Sequence, residues 1–513
     1  MDNSTQLKKI EMVNFLFVVI GVIAYAAFAT NFTFDFFQPQ FLWKAYNYYT
    51  LAMLDGRLDI PAFAIGQEGN YIDSKVYMYY GMLPTLPRFI LSPFVDLETT
   101  PLSTLVVFLF STFGQVFLHF SIWKRYVAFN RFSITSLLAI FGLLIVLWFG
   151  SGTFIILQNS VIYHEPYAAA LCLSNIFLGL LIKDNFFLDT QKKYNFAFYA
   201  LIAGLCVHTR MPTALALYCV TCFLMLICIL RTMRSQGIKQ KYIVNFFSIV
   251  FRNYTTPLLI MFVFGTSVLI LNYLKFGDAI EFMGHNYGYN FLEGFTERRC
   301  PVLPVGEFAK VLRIIPNLYI YFTADMEIYK YLRLNLETGF GRIEDPVVPI
   351  YQLWPLSCLC FLMVLAQGIG RRREGNPLLL IGILVFSSIG AFFQLTYPTI
   401  AHRYITEFWP PLALATVLIV YINVIEGKGY NKGVLVLMAF LGAFGTLNML
   451  NISLTSRYYL EDGPVFNHND YHYSDSDNEY LSELTEDKIE KFMIQYRKDR
   501  EIACAKYVIE GIQ

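Results

Sequence analysis

The chain has 513 residues with a formal net charge of +1, and 56% of its residues are hydrophobic. A soluble domain of that length would expose more apolar surface than water tolerates, and the near-neutral charge gives no long-range attraction to nucleic acid. The apolar residues come in runs of about 17 to 22, which is the length that spans a bilayer. Composition therefore predicts a multi-pass integral membrane protein.

The apolar runs predict an all-α polytopic membrane protein with about 11 transmembrane helices, within a range of roughly 10 to 13. The predicted spans are 12–30, 103–123, 133–153, 167–183, 195–209, 211–230, 256–274, 351–370, 377–397, 404–424 and 433–453. We divide the chain into a transmembrane domain, 1–453, and a polar tail with a short terminal helix, 454–513.

Basic residues predict the orientation of the spans. Lysine and arginine clusters precede the first span and follow the second, fourth, sixth, eighth and tenth spans, and such clusters stay in the cytoplasm. The cytoplasmic connections are short and contain no P-loop. The segments predicted to lie on the outer face are 31–102, 154–166, the turn at Arg210, 275–350, 398–403 and 454–513.

The first outer loop, 31–102, is acidic and aromatic. An aromatic amphipathic stretch, Phe41 to Leu54, and a short apolar segment, Pro84 to Pro93, predict helices that lie along the membrane surface. Asp35 and Asp73 are candidate general bases in this loop. They are also the candidate ligands if a divalent cation is bound, and the plainer interpretation of each is a helix cap or a solvated loop acid.

Arg210 and Arg403 lie at predicted outer ends of apolar runs, against the charge rule. They either extend to lipid headgroups or bind a phosphate, which the guanidinium fork contacts in bidentate fashion. We assign both, with Lys75, to a lipid-linked phosphate. His164 and Glu165 precede Pro166 at the predicted start of a span, where an acid also suits the helix dipole.

Tyr404 and His285 complete the candidate substrate-binding residues, which also include His164 and Glu165. The second large outer loop, 275–350, contains His285 and a possible helix from Glu307 to Tyr321. Cys300 and Cys504 are the two cysteines in polar segments. They either form a disulfide in an oxidising outer compartment or remain free thiols.

Several motifs resemble the polytopic GT-C glycosyltransferases, the group that includes protein O-mannosyltransferases and aminoarabinose transferases. YTLAMLDGRLDIP, DSKVY and YGMLP, at 49–61, 73–77 and 80–84, are similar to that family's first outer loop. Thr209-Arg210-Met211-Pro212 is similar to a recurrent turn in which proline directly follows the arginine. NYLKFG at 272–277, and Arg403-Tyr404 with Glu407 and Pro410, are similar to later motifs of the family.

The resemblance implies an inverting transfer of a sugar from a polyprenyl-phosphate donor to a glycan, lipid or protein acceptor on the outer face. In the family the base is an acid just after the first span, which corresponds to Asp35. Because Phe36 replaces the second acid of the usual pair, Asp73 remains a rival. Membrane lipids are further expected partners, and nucleic acid is not.

Three alternatives remain open at the level of sequence. A polysaccharide polymerase or ligase would also use arginines on the outer face. A lipid or solute transporter would carry acids and Gly/Pro breaks within its spans, which are scarce here. A scaffold would use the outer loops only for binding. We expect a multi-pass protein of a bacterial inner membrane with its active site on the periplasmic face.

Overall fold

A computed structural model describes most of the chain outside the second large loop and the tail. The described residues are 3–65, 68–72, 75–128, 133–158, 160–184, 195–235, 242–280, 311–336, 347–370, 377–397, 400–425 and 432–462. They are mostly helical, as predicted. Two short strands, β1 (Asn70–Ile72) and β2 (Lys75–Tyr77), form an antiparallel pair in which Tyr71 faces Val76.

The described helices are numbered in chain order. They are α1 (Asn3–Ala29), α2 (Lys44–Leu54), α3 (Ala62–Ile65), α4 (Thr85–Leu91), α5 (Ser103–Ala128), α6 (Ile134–Phe149), α7 (Gly152–Leu157), α8 (His164–Lys183), α9 (Phe196–Val207), α10 (Met211–Ser235), α11 (Tyr242–Asn253), α12 (Thr255–Phe276), α13 (Ile314–Thr323), α14 (Met326–Asn335), α15 (Ile350–Leu353), α16 (Pro355–Gly370), α17 (Pro377–Ser387), α18 (Ile389–Gln394), the 3-10 helix His402–Phe408, α19 (Trp409–Ile425) and α20 (Lys432–Asp462).

Seven helical segments of the described chain are long and apolar enough to cross a membrane, which fits an integral membrane protein. They are Lys8–Ala29, Ser103–Ala128, Ile134–Leu157, His164–Lys183, Met211–Ser235, Thr255–Phe276 and Val436–Leu454. The other four predicted spans correspond to shorter helices: α9, α16, the pair α17 and α18, and α19 with its preceding 3-10 turn. The count of about eleven spans therefore stays a prediction.

Helix α8 lies at the centre of the bundle, whereas α12 lies at its edge. The apolar window of α8 is 94% buried and that of α12 is 17% buried. Packing between α5 and α8 is close, since a Cβ on Gly114 would lie 2.6 Å from the Cα of Cys172. Exposed apolar side chains on α12, such as Phe262, form a surface suited to lipid.

A network of hydrogen-bonded polar side chains lies inside three of the spans. The indole Nε1–H of Trp148 donates to Nδ1 of His119 over 3.2 Å, so Nε2 carries the ring proton and donates to Oδ1 of Asn14 over 2.9 Å. These bonds join α6, α5 and α1. Nearby, the Tyr25 hydroxyl donates to the carbonyl of Trp148. This network stabilises the bundle because a polar group left unpaired in an apolar interior is costly.

The segments predicted to share the outer face meet at one end of the helices. The backbone N–H of Leu83 donates to the carbonyl of His208 over 2.9 Å. The ammonium of Lys275 donates to the carbonyl of Met78 over 3.0 Å. The side-chain amide of Asn317 donates to the carbonyl of Leu395. These contacts link the first loop, the α9–α10 turn and the ends of α12, α13 and α18.

Three short helices overlap loop stretches for which helices are predicted, and their position along a membrane surface stays a prediction. The stretch Phe41 to Leu54 contains α2, and Pro84 to Pro93 contains α4. In the second large loop, α13 begins at Ile314. The boundary placed at 454 falls within α20, which continues to Asp462.

Parts of the second loop and tail, with Cys300 and Cys504, lie outside the described residues, so their pairing stays a prediction. The seven cysteines that the structure describes are free thiols.

Candidate functional site

A cleft of about 1010 Å³, open at its mouth, lies where the first loop meets the ends of α8, α9, α10 and α12. Its described lining contains three cationic side chains, Arg210, Lys275 and Arg403, and no carboxylate. Tyrosines form much of the remaining wall: Tyr49, Tyr79, Tyr80, Tyr163, Tyr167, Tyr397 and Tyr404. The composition of this lining favours an anionic ligand that also has a part able to pack against aromatic rings.

Arg210 occupies the turn between α9 and α10, where the sequence placed it between two apolar runs. Its Nε donates to Oε1 of Glu407 over 2.9 Å, and its second terminal nitrogen donates to Gln394 over 2.7 Å. The guanidinium lies 3.7 Å from the ring centre of Tyr167. Glu407 also accepts the Thr213 hydroxyl. These partners hold the guanidinium in a fixed orientation at the cleft wall.

Arg403 contacts the rings of two tyrosines that line the cleft. Its guanidinium carbon lies 4.6 Å from the ring centre of Tyr163 and 5.0 Å from that of Tyr404. The Tyr404 ring also stacks on Tyr167 at 6.3 Å and lies 5.9 Å from Arg210. Two of the predicted phosphate-binding residues and the predicted substrate-binding tyrosine therefore meet in one cleft.

Lys275 is the third cation, and the sequence interpretation did not assign it to the phosphate. It lies in the last turn of α12, which ends at Gly277 with a positive φ of 70°. The ammonium lies 4.7 Å from the ring centre of Tyr49. The imidazole of His208 lies in the same lining, with its Nε2 2.9 Å from the hydroxyl oxygen of Ser267.

Gly81 explains why the YGMLP segment packs directly on the α9–α10 turn. A Cβ at this position would lie 2.3 Å from the carbonyl oxygen of His208. The Gly81 carbonyl in turn accepts the Tyr46 hydroxyl. The loop backbone thus forms one wall of the cleft, and any side chain larger than hydrogen would push that wall outward.

Glu68 is a carboxylate next to the cleft that the sequence interpretation missed. Its Oε1 accepts the Tyr163 hydroxyl over 2.7 Å, and its Oε2 lies 3.1 Å from the hydroxyls of Tyr79 and Tyr80. Burial, followed by the charge of Glu68, raises the pKa of these tyrosines well above the usual value. The phenols therefore stay protonated and donate to the carboxylate.

Three other predicted site residues, Asp35, Lys75 and His164, are described by the structure and are not part of the described cleft lining. Asp35 is exposed, and its carboxylate accepts the backbone N–H of Phe37 in a local turn. Lys75 is exposed on β2. His164 begins α8 beside Tyr163 without lining the cleft. Asp73 and His285 fall outside the described residues.

Glu165 is buried beneath the first loop and is not part of the described cleft lining, so its predicted role on the substrate side stays a prediction. It forms a two-pronged ion pair with Arg88 at 2.6 and 2.9 Å, and the side chains are 1% and 0% exposed. Ser103 also donates to Glu165, and Asn47 accepts from Arg88. Because every contact is internal, this carboxylate joins the first loop to α8.

A metal site is not supported by the part of the chain that the structure describes, which contains no group of three His, Cys, Asp or Glu side chains able to hold a metal ion. Asp35, a candidate ligand, has an exposed carboxylate in a turn. Asp73, the other candidate ligand, lies outside the described residues, so a divalent cation stays a prediction.

No protein-family model, curated protein or solved structure matches this chain. The resemblance to GT-C glycosyltransferases is therefore carried by sequence motifs alone.

Proposed function

We propose that this chain is an integral membrane glycosyltransferase that takes a sugar from a polyprenyl-phosphate donor and transfers it to an acceptor hydroxyl. The observation that carries the proposal is the convergence of Arg210, Lys275 and Arg403 on one tyrosine-lined cleft at the ends of apolar helices. The GT-C resemblance of the motifs around these residues supports the same activity.

The charges in the cleft suit a phosphate. Glu407 pairs with Arg210, and Lys275 and Arg403 are two further cations of the lining. Tyrosine rings lie against both guanidinium groups, and a guanidinium beside a phosphate can contact its oxygens through two N–H groups. An ammonium beside them adds a point charge. A phosphate leaving group, which gains negative charge as the glycosidic bond breaks, would be stabilised here.

The same cleft suits the lipid part of the donor. Val268 and Leu271, both on α12, line it beside the cations. Much of α12 is exposed along its apolar length, where it would face lipid. An amphiphile could therefore keep its polyprenyl chain along α12 while its phosphate enters the cleft. A soluble sugar nucleotide would leave this apolar wall unused.

In the proposed reaction, the acceptor oxygen forms a bond to the anomeric carbon while the bond from that carbon to the phosphate oxygen breaks. The polyprenyl phosphate leaves with the electron pair, and the acceptor proton passes to a carboxylate. Glu68 is in hydrogen-bond contact with three cleft tyrosines, whereas Asp35 is exposed in its own turn. We assign the proton to Glu68 or Asp73, ahead of Asp35.

The test is a transfer assay on membrane fractions with a panel of polyprenyl-phosphate sugars and hydroxyl acceptors. Loss of a general base lowers rates by about two to four orders of magnitude. We expect that loss for Glu68→Gln or Asp73→Asn, and normal transfer for the control Asp55→Asn at an exposed acid. Full activity in Glu68→Gln, Asp73→Asn and Asp35→Asn would refute the mechanism. Donor binding without transfer of any sugar would favour a transporter.

A further inference from the structure

A second concave surface lies at the opposite end of α8, between α8 and α5. We call it the groove. Its apolar wall includes Phe113, Phe117 and Phe120 of α5, and its cationic end contains Lys124, Arg125 and Lys183. The groove encloses about 930 Å³, including its open side. It shares no lining residue with the cleft.

The groove owes its shape to a close crossing of two helices. A Cβ on Gly179 of α8 would lie 2.8 Å from Oγ of Ser121 and 2.9 Å from the Phe117 ring. The Ser121 hydroxyl donates to the Phe117 carbonyl, so it is satisfied within α5. The helices therefore approach closely, and the outermost ring, Phe113, is left 62% exposed along the open side.

The charge at the end of the groove comes from two different helices. Lys124 and Arg125 belong to the last turns of α5, and Lys183 ends α8. No carboxylate is found in the groove lining that the structure describes. The acid next in the chain, Asp184, accepts the Tyr199 hydroxyl over 2.8 Å. The groove thus joins an aromatic apolar wall to a positively charged end.

We propose that the groove binds one anionic phospholipid of the surrounding membrane. The acyl chains lie along Phe113, Phe117 and Phe120, and the phosphate lies among Lys124, Arg125 and Lys183. This occupant combines acyl chains with a phosphate, as the groove combines an aromatic wall with a cationic end. The basic residues predict that this end faces the cytoplasm, where membranes carry anionic lipids that attract such clusters. The inference does not depend on the glycosyltransferase proposal.

Native mass spectrometry of the purified full chain tests the inference. The probes are phosphatidylglycerol and, at equal concentration, phosphatidylcholine. We expect one retained phosphatidylglycerol in the wild type and roughly tenfold or greater loss of its binding in the double variant Lys124→Ala/Lys183→Ala. The control Lys8→Ala/Lys9→Ala removes two exposed lysines predicted to face the same side, outside the groove, and should bind like the wild type.

A second variant separates shape from charge. Phe113→Ala/Phe120→Ala keeps all three cations and shortens the apolar wall, so it should also lose the retained lipid. Equal binding of both lipids by the wild type would overturn the proposal. So would equal phosphatidylglycerol binding in all variants, which would assign the cations to stabilising the helix ends.

Discussion

Two arginine–glutamate pairs in this molecule have the same chemistry and different surroundings. Arg88 and Glu165 lie beneath the first loop with side chains 0% and 1% exposed. Arg210 and Glu407 lie at the cleft wall, where they are 15% and 3% exposed. We call the first the sealed pair and the second the cleft pair.

The two pairs differ in what surrounds the guanidinium. In the sealed pair, protein groups approach every nitrogen of Arg88: Glu165, Asn47, Ser103 and the carbonyl of Pro84. In the cleft pair, the guanidinium of Arg210 lies against the Tyr167 ring, and both side chains line the cleft. Whether an arginine paired with an acid is structural or ligand-binding therefore depends on whether a ligand can reach the guanidinium. The geometry of the ion pair alone does not show this.

Breaking the sealed pair should have the largest effect. Arg88→Ala leaves Glu165 charged and buried without its partner, which costs about 3 to 5 kcal/mol. We expect a large loss of folded protein and a lower Tm in detergent. The control Arg57→Ala removes an exposed arginine that also forms ion pairs, with Asp55 and Asp59, and should leave Tm unchanged.

A charge-free replacement sharpens this result. Arg88→Met/Glu165→Leu removes both charges together, so much of the lost stability should return. If Arg88→Ala alone has a wild-type Tm, the sealed pair does not join the first loop to α8 in the way described.

Breaking the cleft pair should have a smaller effect on stability and an additional effect on binding. Arg210→Ala removes charged hydrogen bonds to Glu407 and Gln394, each worth about 1.5 to 3 kcal/mol when fully buried. Because Arg210 lines the open cleft, water can reach the Glu407 carboxylate that is left behind, and the net loss should stay below that of Arg88→Ala. We expect a modest fall in Tm and weaker binding of a polyprenyl phosphate. Arg210→Lys should restore only part of the binding, because an ammonium cannot reproduce the planar fork. Wild-type binding by Arg210→Ala would make the cleft pair purely structural.

A substitution at Gly81 tests the cleft wall that the first loop forms against the α9–α10 turn. Gly81→Ala places a methyl group against the His208 carbonyl, and such overpacking costs about 1 to 3 kcal/mol. We expect lower Tm together with weaker ligand binding, since the cleft wall must move. Gly142→Ala is the matched control because a Cβ there meets nothing within 4 Å. Identical behaviour of the two variants would contradict the close loop contact.

Much of this architecture could be predicted from the sequence. Apolar runs reveal helices because the bilayer sets their length, and prolines and aromatic residues marked the positions of α2 and α4. Arg210 and Arg403 could be selected because arginines at predicted outer helix ends break the charge rule, and Tyr404 because it follows Arg403 in the Arg-Tyr motif. Their meeting in one cleft could not be predicted, since it depends on how the 3-10 helix packs against α8 and α10.

The sealed pair and Glu68 show why the rest was missed. The sequence around Glu165 predicts an acid at the start of a helix whether its side chain faces solvent or Arg88. Arg88 lies 77 positions away in the chain. Glu68 is a candidate site residue because it is hydrogen-bonded to three cleft tyrosines, of which Tyr163 lies 95 positions away in the chain. Sequence spacing carries no information about such long-range contacts. The adjacent pair Tyr79-Tyr80 was visible in the sequence but is typical of a membrane interface.

The most direct test of the account measures binding of a polyprenyl phosphate, against the matched polyprenol, by purified wild type, Arg403→Ala and Arg403→Lys. Arg403 lines the cleft and belongs to neither pair. We predict that the wild type prefers the phosphate, that alanine weakens binding roughly 10-fold to 100-fold, and that lysine restores it in part. Equal affinity of the wild type for both lipids, or equal phosphate affinity in all three proteins, would contradict a phosphate site in the cleft.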